Sequence, residues 1–139
     1  MVDLGCGKAK ALLVASEFGF KEVRGVELST CLYDIAKNNC SIYKNKTKTN
    51  TEFKVIRSNV IDYKMNDDED IFYLYNPFNE YILDKVIDNI AASHARVKRK
   101  IWIIYGDPLH KETIEKKMKP TTVLELTFWG LVFVVFEIE

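Results

Sequence analysis

Two apolar periods alternate along this chain. Short runs that hold β-branched or aromatic residues at positions 23–27, 53–57, 71–75 and 101–105 read as strands, and the aromatic-rich run at 71–75, set between Asp70 and Asn76, reads as a buried one. Between them the period changes to that of a helix. Leu12, Leu13, Ala15 and Ser16 give residues 8–18 an apolar or small face, and Gly19 stops the helix where a C-terminal cap glycine belongs. Ser29 offers an N-cap for a helix running to about residue 43, followed by a polar loop over residues 44–50. Asn79 caps the next, on which Ile82, Leu83, Val86, Ile87, Ile90 and Ala91 form one apolar face. Gly106-Asp107-Pro108 ends the run at 101–105, and a short helix follows to about Met118. Residues 122–128 and 131–137 then read as a β-hairpin around Trp129-Gly130.

With Val2-Asp3-Leu4 as the end of a first strand, the order is β-α-β-α-β-β-α-β-α-β-β, with room for a short helix after the third strand. Alternation of this kind predicts an α/β fold: a three-layer α/β/α sandwich on a mostly parallel seven-stranded sheet, closed by a C-terminal antiparallel hairpin. No repeat, linker or low-complexity tract interrupts it, so residues 1–139 read as a single domain. The chain is 47% hydrophobic, enough for one core.

Charge narrows the function classes. Twenty basic and twenty acidic residues cancel, which argues against a protein that coats nucleic acid or an anionic membrane. The most apolar tract, residues 123–138, is cut by Glu125, Thr127, Gly130 and Glu137 and is no membrane span. The beginning lacks the basic-then-apolar pattern of a signal peptide. Cys6, Cys31 and Cys40 form no CxxC pair and no metal-ligand pattern with the two histidines, His94 and His110. The expectation is a cytoplasmic chain with reduced thiols and no metal site.

The chemistry concentrates in Asp3-Leu4-Gly5-Cys6-Gly7-Lys8-Ala9. A glycine loop between a strand and a helix aims backbone N–H groups at a ligand. The dinucleotide fingerprint needs a third glycine at position 10, which is Lys10, too large for the close helix–strand contact. Asp3, just ahead of the first glycine, would repel a pyrophosphate and suits a cationic ligand. Glu27 ends the second strand beside the loop, where a carboxylate can accept hydrogen bonds from two ribose hydroxyls. A nucleoside that carries positive charge and no phosphate satisfies all three conditions.

These residues carry a resemblance. VDLGCGKAKALLVASEFGFKEVRGVELS is similar to the first two motifs of class I S-adenosylmethionine-dependent methyltransferases, with Ala9 where that family's loop usually has its last glycine. The resemblance implies S-adenosylmethionine as cofactor, the methionine part held at Asp3, Gly5, Cys6 and Gly7, and the ribose at Glu27 and Leu28. It places Asn59 on the adenine amino group and the Val60 N–H on the ring. Asn76-Pro77-Phe78 resembles the (D/N)-P-P-(Y/F) motif of amino-directed members. Asn76, which also borders the cofactor, would accept a hydrogen bond from the target amine, with Pro77 and Phe78 beside it. The implied activity is methyl transfer to an amine acceptor of unspecified class.

Blander readings stand beside these. An Asn after a strand is often a turn residue, and Asn76-Pro77-Phe78 can simply end a strand. Cys6 reads as a small filler facing the cofactor, with no neighbouring base to activate it. His94 reads as a half-buried cap near a helix end, and His110 lies nearer the expected site. The lysines at 44, 46, 48, 98, 100, 116, 117 and 119, with Arg96 and Arg99, fall in helix-to-strand connections, away from the carboxyl edge where ligands bind in such sheets. Only Met1 and Val2 precede Asp3, fewer residues than a central strand usually has. The expectation is a cover supplied by a preceding segment or a partner chain. A cofactor-binding subunit without chemistry of its own is the alternative reading; an NAD-binding dehydrogenase domain is disfavoured by Lys10 and Asp3.

Overall fold

In the computed structural model, which describes residues 1–76 and 78–139, eleven elements follow the expected order. They are β1 (Val2–Leu4), α1 (Lys10–Glu17), β2 (Glu22–Glu27), α2 (Thr30–Thr47), β3 (Glu52–Arg57), β4 (Ile71–Tyr75), α3 (Glu80–Arg96), β5 (Ile101–Gly106), α4 (Lys111–Met118), β6 (Thr122–Phe128) and β7 (Leu131–Ile138). The strands are ordered β3-β2-β1-β4-β5-β7-β6 in a seven-stranded sheet. β1, β2 and β3 pair in parallel, as do β4 and β5, while β7 is antiparallel to both β5 and β6. The chain divides into two compact units, Met1–Tyr63 and Lys64–Glu139.

In the first unit, Cys6, Ala9, Leu12, Ala15, Val23, Ala36 and Cys40 form one buried cluster, with Phe20, Phe53 and Val55 packed against it. Gly25 of β2 lets α1 approach closely: a Cβ there would sit 2.7 Å from Cys6 Sγ and 2.8 Å from Leu12 Cδ1. Lys10 itself is exposed, so its side chain does not enter that contact.

Two helix boundaries depart from the sequence pattern. α1 begins at Lys10 rather than residue 8, because Ala9 adopts a left-handed conformation with φ 71°. α2 continues to Thr47, through half of the stretch read as loop. Lys44 and Lys46 lie in its last turn, where cations favour the carbonyl end, and Lys48 caps it in a left-handed conformation. The stretch after β3 forms turns, with Asp62 N–H donating to Asn59 O and Tyr63 N–H to Val60 O.

In the second unit, Phe72, Leu74, Ile101, Ile103, Tyr105, Val134, Phe136 and Ile138 are buried, as strand alternation and register require. α3 and α4 pack on each other. Asn79 Oδ1 accepts from Ile82 N–H and caps α3 as the sequence predicts. β6 and β7 meet in a two-residue turn whose Trp129 and Gly130 both have positive φ, as a primed hairpin turn needs.

Candidate functional site

The loop from Gly5 to Ala9 is built on alternate left-handed residues: Gly5 at φ 89°, Gly7 at 53° and Ala9 at 71°. Glycine adopts this region freely, which accounts for the first two. Ala9 does so at a cost of about 1–2 kcal/mol, held there by full burial.

Four N–H groups of this loop donate to acceptors within the protein. Gly5 and Cys6 N–H donate to Val26 O at 2.9 and 3.0 Å, and Ala9 N–H to Cys6 O at 2.8 Å. Gly7 N–H donates to Glu27 Oε2 at 2.9 Å, and Ser29 N–H to Glu27 Oε1 at 2.9 Å. The anion in this loop is therefore the chain's own carboxylate, fixed from both sides. Behind it lies Asp3, 4% exposed. Burial, assisted by the nearby Glu27 carboxylate, pushes the Asp3 carboxyl up to about 7. Two acids share one confined site, a setting that favours a cation and opposes a phosphate.

The remaining residues of the first unit fall as follows. Leu28 is exposed beside Glu27. Ser58 N–H donates to Glu27 O at 3.1 Å, which seats Ser58-Asn59-Val60 beside the end of β2. Asn59 Oδ1 accepts from Ile61 N–H at 3.1 Å, an Asx turn that uses one lone pair and leaves a second. Val60 is buried. The Cys6 side chain packs into the core against Gly25, so only its backbone belongs to the loop. Burial first, then the Asp3 and Glu27 charges, push its thiol up to about 12, which makes it no nucleophile.

In the second unit, Asn76 follows β4 and Asp107 follows β5, each in a left-handed conformation with φ 36° and 49°. Tyr75 pairs in register with Gly106, so the two side chains emerge together at the carboxyl ends of these parallel strands. Asn76 Nδ2 donates to Asp107 Oδ2 at 3.4 Å, which turns the amide so that Oδ1 is its outward acceptor. Tyr75 and Phe133 stack at a tilt beside this pair, with ring centroids 5.9 Å apart. Phe78 is half-buried, and Pro77 lies outside the described residues. Asp107 was not among the expected site residues. Its signal in the sequence is that Asn76 and Asp107 each end a strand and each precede a proline.

The histidines hold other positions. His110 is the N-cap residue of α4 but makes no side-chain capping bond. His94 is buried in the last turn of α3. Among the described residues no cluster of His, Cys, Asp and Glu could hold a metal, and no helix is long and apolar enough to cross a membrane.

No protein-family model matches the chain, and no curated protein matches it. Solved structures do. The methyltransferase domain of bacterial CtHen1 superposes with a TM-score of 0.71 at 16% identity, covering 97% of this chain and 88% of that domain. A ribosomal protein L11 methylase from Lactobacillus delbrueckii subsp. bulgaricus gives 0.66 at 15%, covering 96% and 67%. Magnesium protoporphyrin IX methyltransferase from Synechocystis PCC 6803, solved with bound S-adenosylmethionine, gives 0.68 at 12%, covering 98% and 65%. This chain thus spans about two thirds of the latter two. Its fold is that of the class I S-adenosylmethionine-dependent methyltransferases.

Proposed function

We propose that this chain is an S-adenosylmethionine-dependent methyltransferase acting on an amine. The observation that carries the cofactor assignment is the filling of the glycine loop by Glu27, with Asp3 buried behind it. A dinucleotide would have to displace that carboxylate from Gly7 and Ser29 and bring its phosphates against two acids. S-adenosylmethionine brings none, and its α-amino and sulfonium charges complement them.

In this reading Asp3 and the loop backbone hold the methionine part, with Cys6 contributing only main-chain atoms. Glu27 keeps one lone-pair direction on each oxygen for the ribose hydroxyls, with Leu28 beside it, and Asn59 and Val60 serve the adenine. The bound cofactor supplies an electrophilic methyl group. What the protein contributes to transfer is alignment of the acceptor with that group, without a conspicuous base. Asn76 Oδ1 accepts a hydrogen bond from the acceptor amine, its direction set by Asp107, and Phe78 walls the amine.

Calorimetric titration with S-adenosylmethionine tests the cofactor, and transfer of a labelled methyl group to peptide, nucleic-acid and small-amine pools tests the activity. Loss of transfer in Asn76→Ala with cofactor binding intact is the outcome this reading requires. Transfer undiminished in that variant removes Asn76 from the acceptor site.

A further inference from the structure

The second unit carries a cavity of about 330 Å³ at the end of its strands opposite Asn76 and Asp107. Its wall includes His94 from the last turn of α3, Lys98 just beyond it, Lys117 and Lys119 at the end of α4, and Glu139 after β7. Ile138 of β7 pairs with Ile101, the first residue of β5, which fixes the cavity at the amino end of that strand.

Three observations distinguish it from a solvated rim. His94 is 8% exposed, and its Nε2 has no hydrogen-bond partner among the described residues. A buried polar atom without a hydrogen bond carries an uncompensated desolvation cost, so this nitrogen stands ready for a partner that the described residues do not supply. Second, two of the three lysines are electrically uncommitted. Lys117 Nζ is held by Asp84 and Asp88 at 2.5 and 2.7 Å, and Glu139 is held by Lys100 at 2.6 Å. Among the described residues, Lys98 and Lys119 form no such pair. Third, the carbonyl end of α3 does not account for Lys98. That end is already served by Arg99, whose Nη1 donates to Ser93 O and Val97 O at 3.3 and 3.0 Å.

We propose that this cavity binds a phosphate group, either the free ion or the head of a small phosphomonoester, with Lys98 and Lys119 as its cationic contacts and His94 Nε2 as a buried donor. Its volume lies at the lower end of small-molecule sites, room for a phosphate with a short substituent. Burial first, then the charges of Lys98 and Arg99, hold the His94 imidazole below the usual histidine pKa. On binding, Nε2 takes one proton from solvent and donates it as a charge-assisted hydrogen bond to an anion oxygen. The charged groups around it are Lys98 and Arg99 after α3, Lys117 in the last turn of α4, Lys119 just beyond that helix, and Glu139 after β7. The site is independent of the methyl-transfer reading.

The test is carbon–proton NMR of the imidazole rings in the full chain. There are two histidines, and His110→Gln assigns them. Titration with sodium phosphate at constant ionic strength should move the His94 resonance saturably, raise its titration midpoint and leave His110 in place. Lys98→Ala combined with Lys119→Ala should weaken the response by about tenfold or more. Glycerol 3-phosphate provides the second arm: tighter binding than phosphate identifies a phosphomonoester ligand, and equal binding identifies the free ion. A His94 resonance that stays fixed through millimolar phosphate, or that moves equally in the double variant, overturns the proposal.

Discussion

The amide of Gly7 and the carboxylate of Glu27 meet across 2.9 Å, so the loop donor best placed for a ligand anion is closed by an acid from the neighbouring strand. The same carboxylate holds Ser29 N–H, and the two bonds together fix its plane. Removing it exposes two consequences at once. Glu27→Ala leaves Gly7 N–H unpaired, a loss of about 1–3 kcal/mol of stability in chemical denaturation. Calorimetry should show S-adenosylmethionine affinity reduced by about a hundredfold, the worth of two charge-assisted hydrogen bonds. Unchanged affinity would remove Glu27 from the ribose site.

Asp3 gives the fold a pH dependence with a definite sign. Its carboxyl titrates at about 7 in the folded chain, against 3.8 as its unperturbed value. Between these values the folded state holds a proton that the unfolded state has released, so stability falls as pH rises through this window and levels above it. The difference is on the order of 4 kcal/mol. Asp3→Asn should therefore be the more stable protein at pH 8, with the two converging near pH 4. Parallel denaturation curves for the two proteins across that range would contradict the burial of this charge.

The strained and crowded positions around the loop predict opposite outcomes. Ala9→Gly relieves a left-handed alanine and should raise stability by up to about 1 kcal/mol, the gain being reduced by the greater freedom of glycine when unfolded. Gly25→Ala places a methyl against Cys6 and Leu12 at 2.7–2.9 Å and should lower stability by about 1–3 kcal/mol. Thermal unfolding of the two variants measures both signs.

The three cysteines should react unequally. Cys31 is exposed, whereas Cys6 and Cys40 are buried with thiols pushed up to about 12 and 11. A thiol reagent should label Cys31 alone in the native protein and all three after unfolding. Rapid native labelling of Cys6 would mean that the loop opens.

Much of this was legible in the sequence because it is set locally. Period, caps and turn residues mark the elements, down to Asn79 capping α3 and Trp129-Gly130 turning the hairpin. What was not legible depends on contacts between distant segments. Nothing near Lys10 in the chain says that Gly25 supplies the helix–strand contact, and nothing near Cys6 says that its side chain turns into the core. The bond between Asn76 and Asp107 joins residues that only strand pairing brings together. The end of α2 was misplaced because Lys44 and Lys46 read equally as loop or as a charged last turn.

The reading rests on the choice between a cation-bearing nucleoside and a dinucleotide, and one titration decides it. Isothermal calorimetry of the full chain should show saturable binding of S-adenosylmethionine and of S-adenosylhomocysteine, abolished by Asp3→Ala combined with Glu27→Ala, and no heat with NAD. Tight binding of NAD, with neither S-adenosyl compound binding, would contradict it.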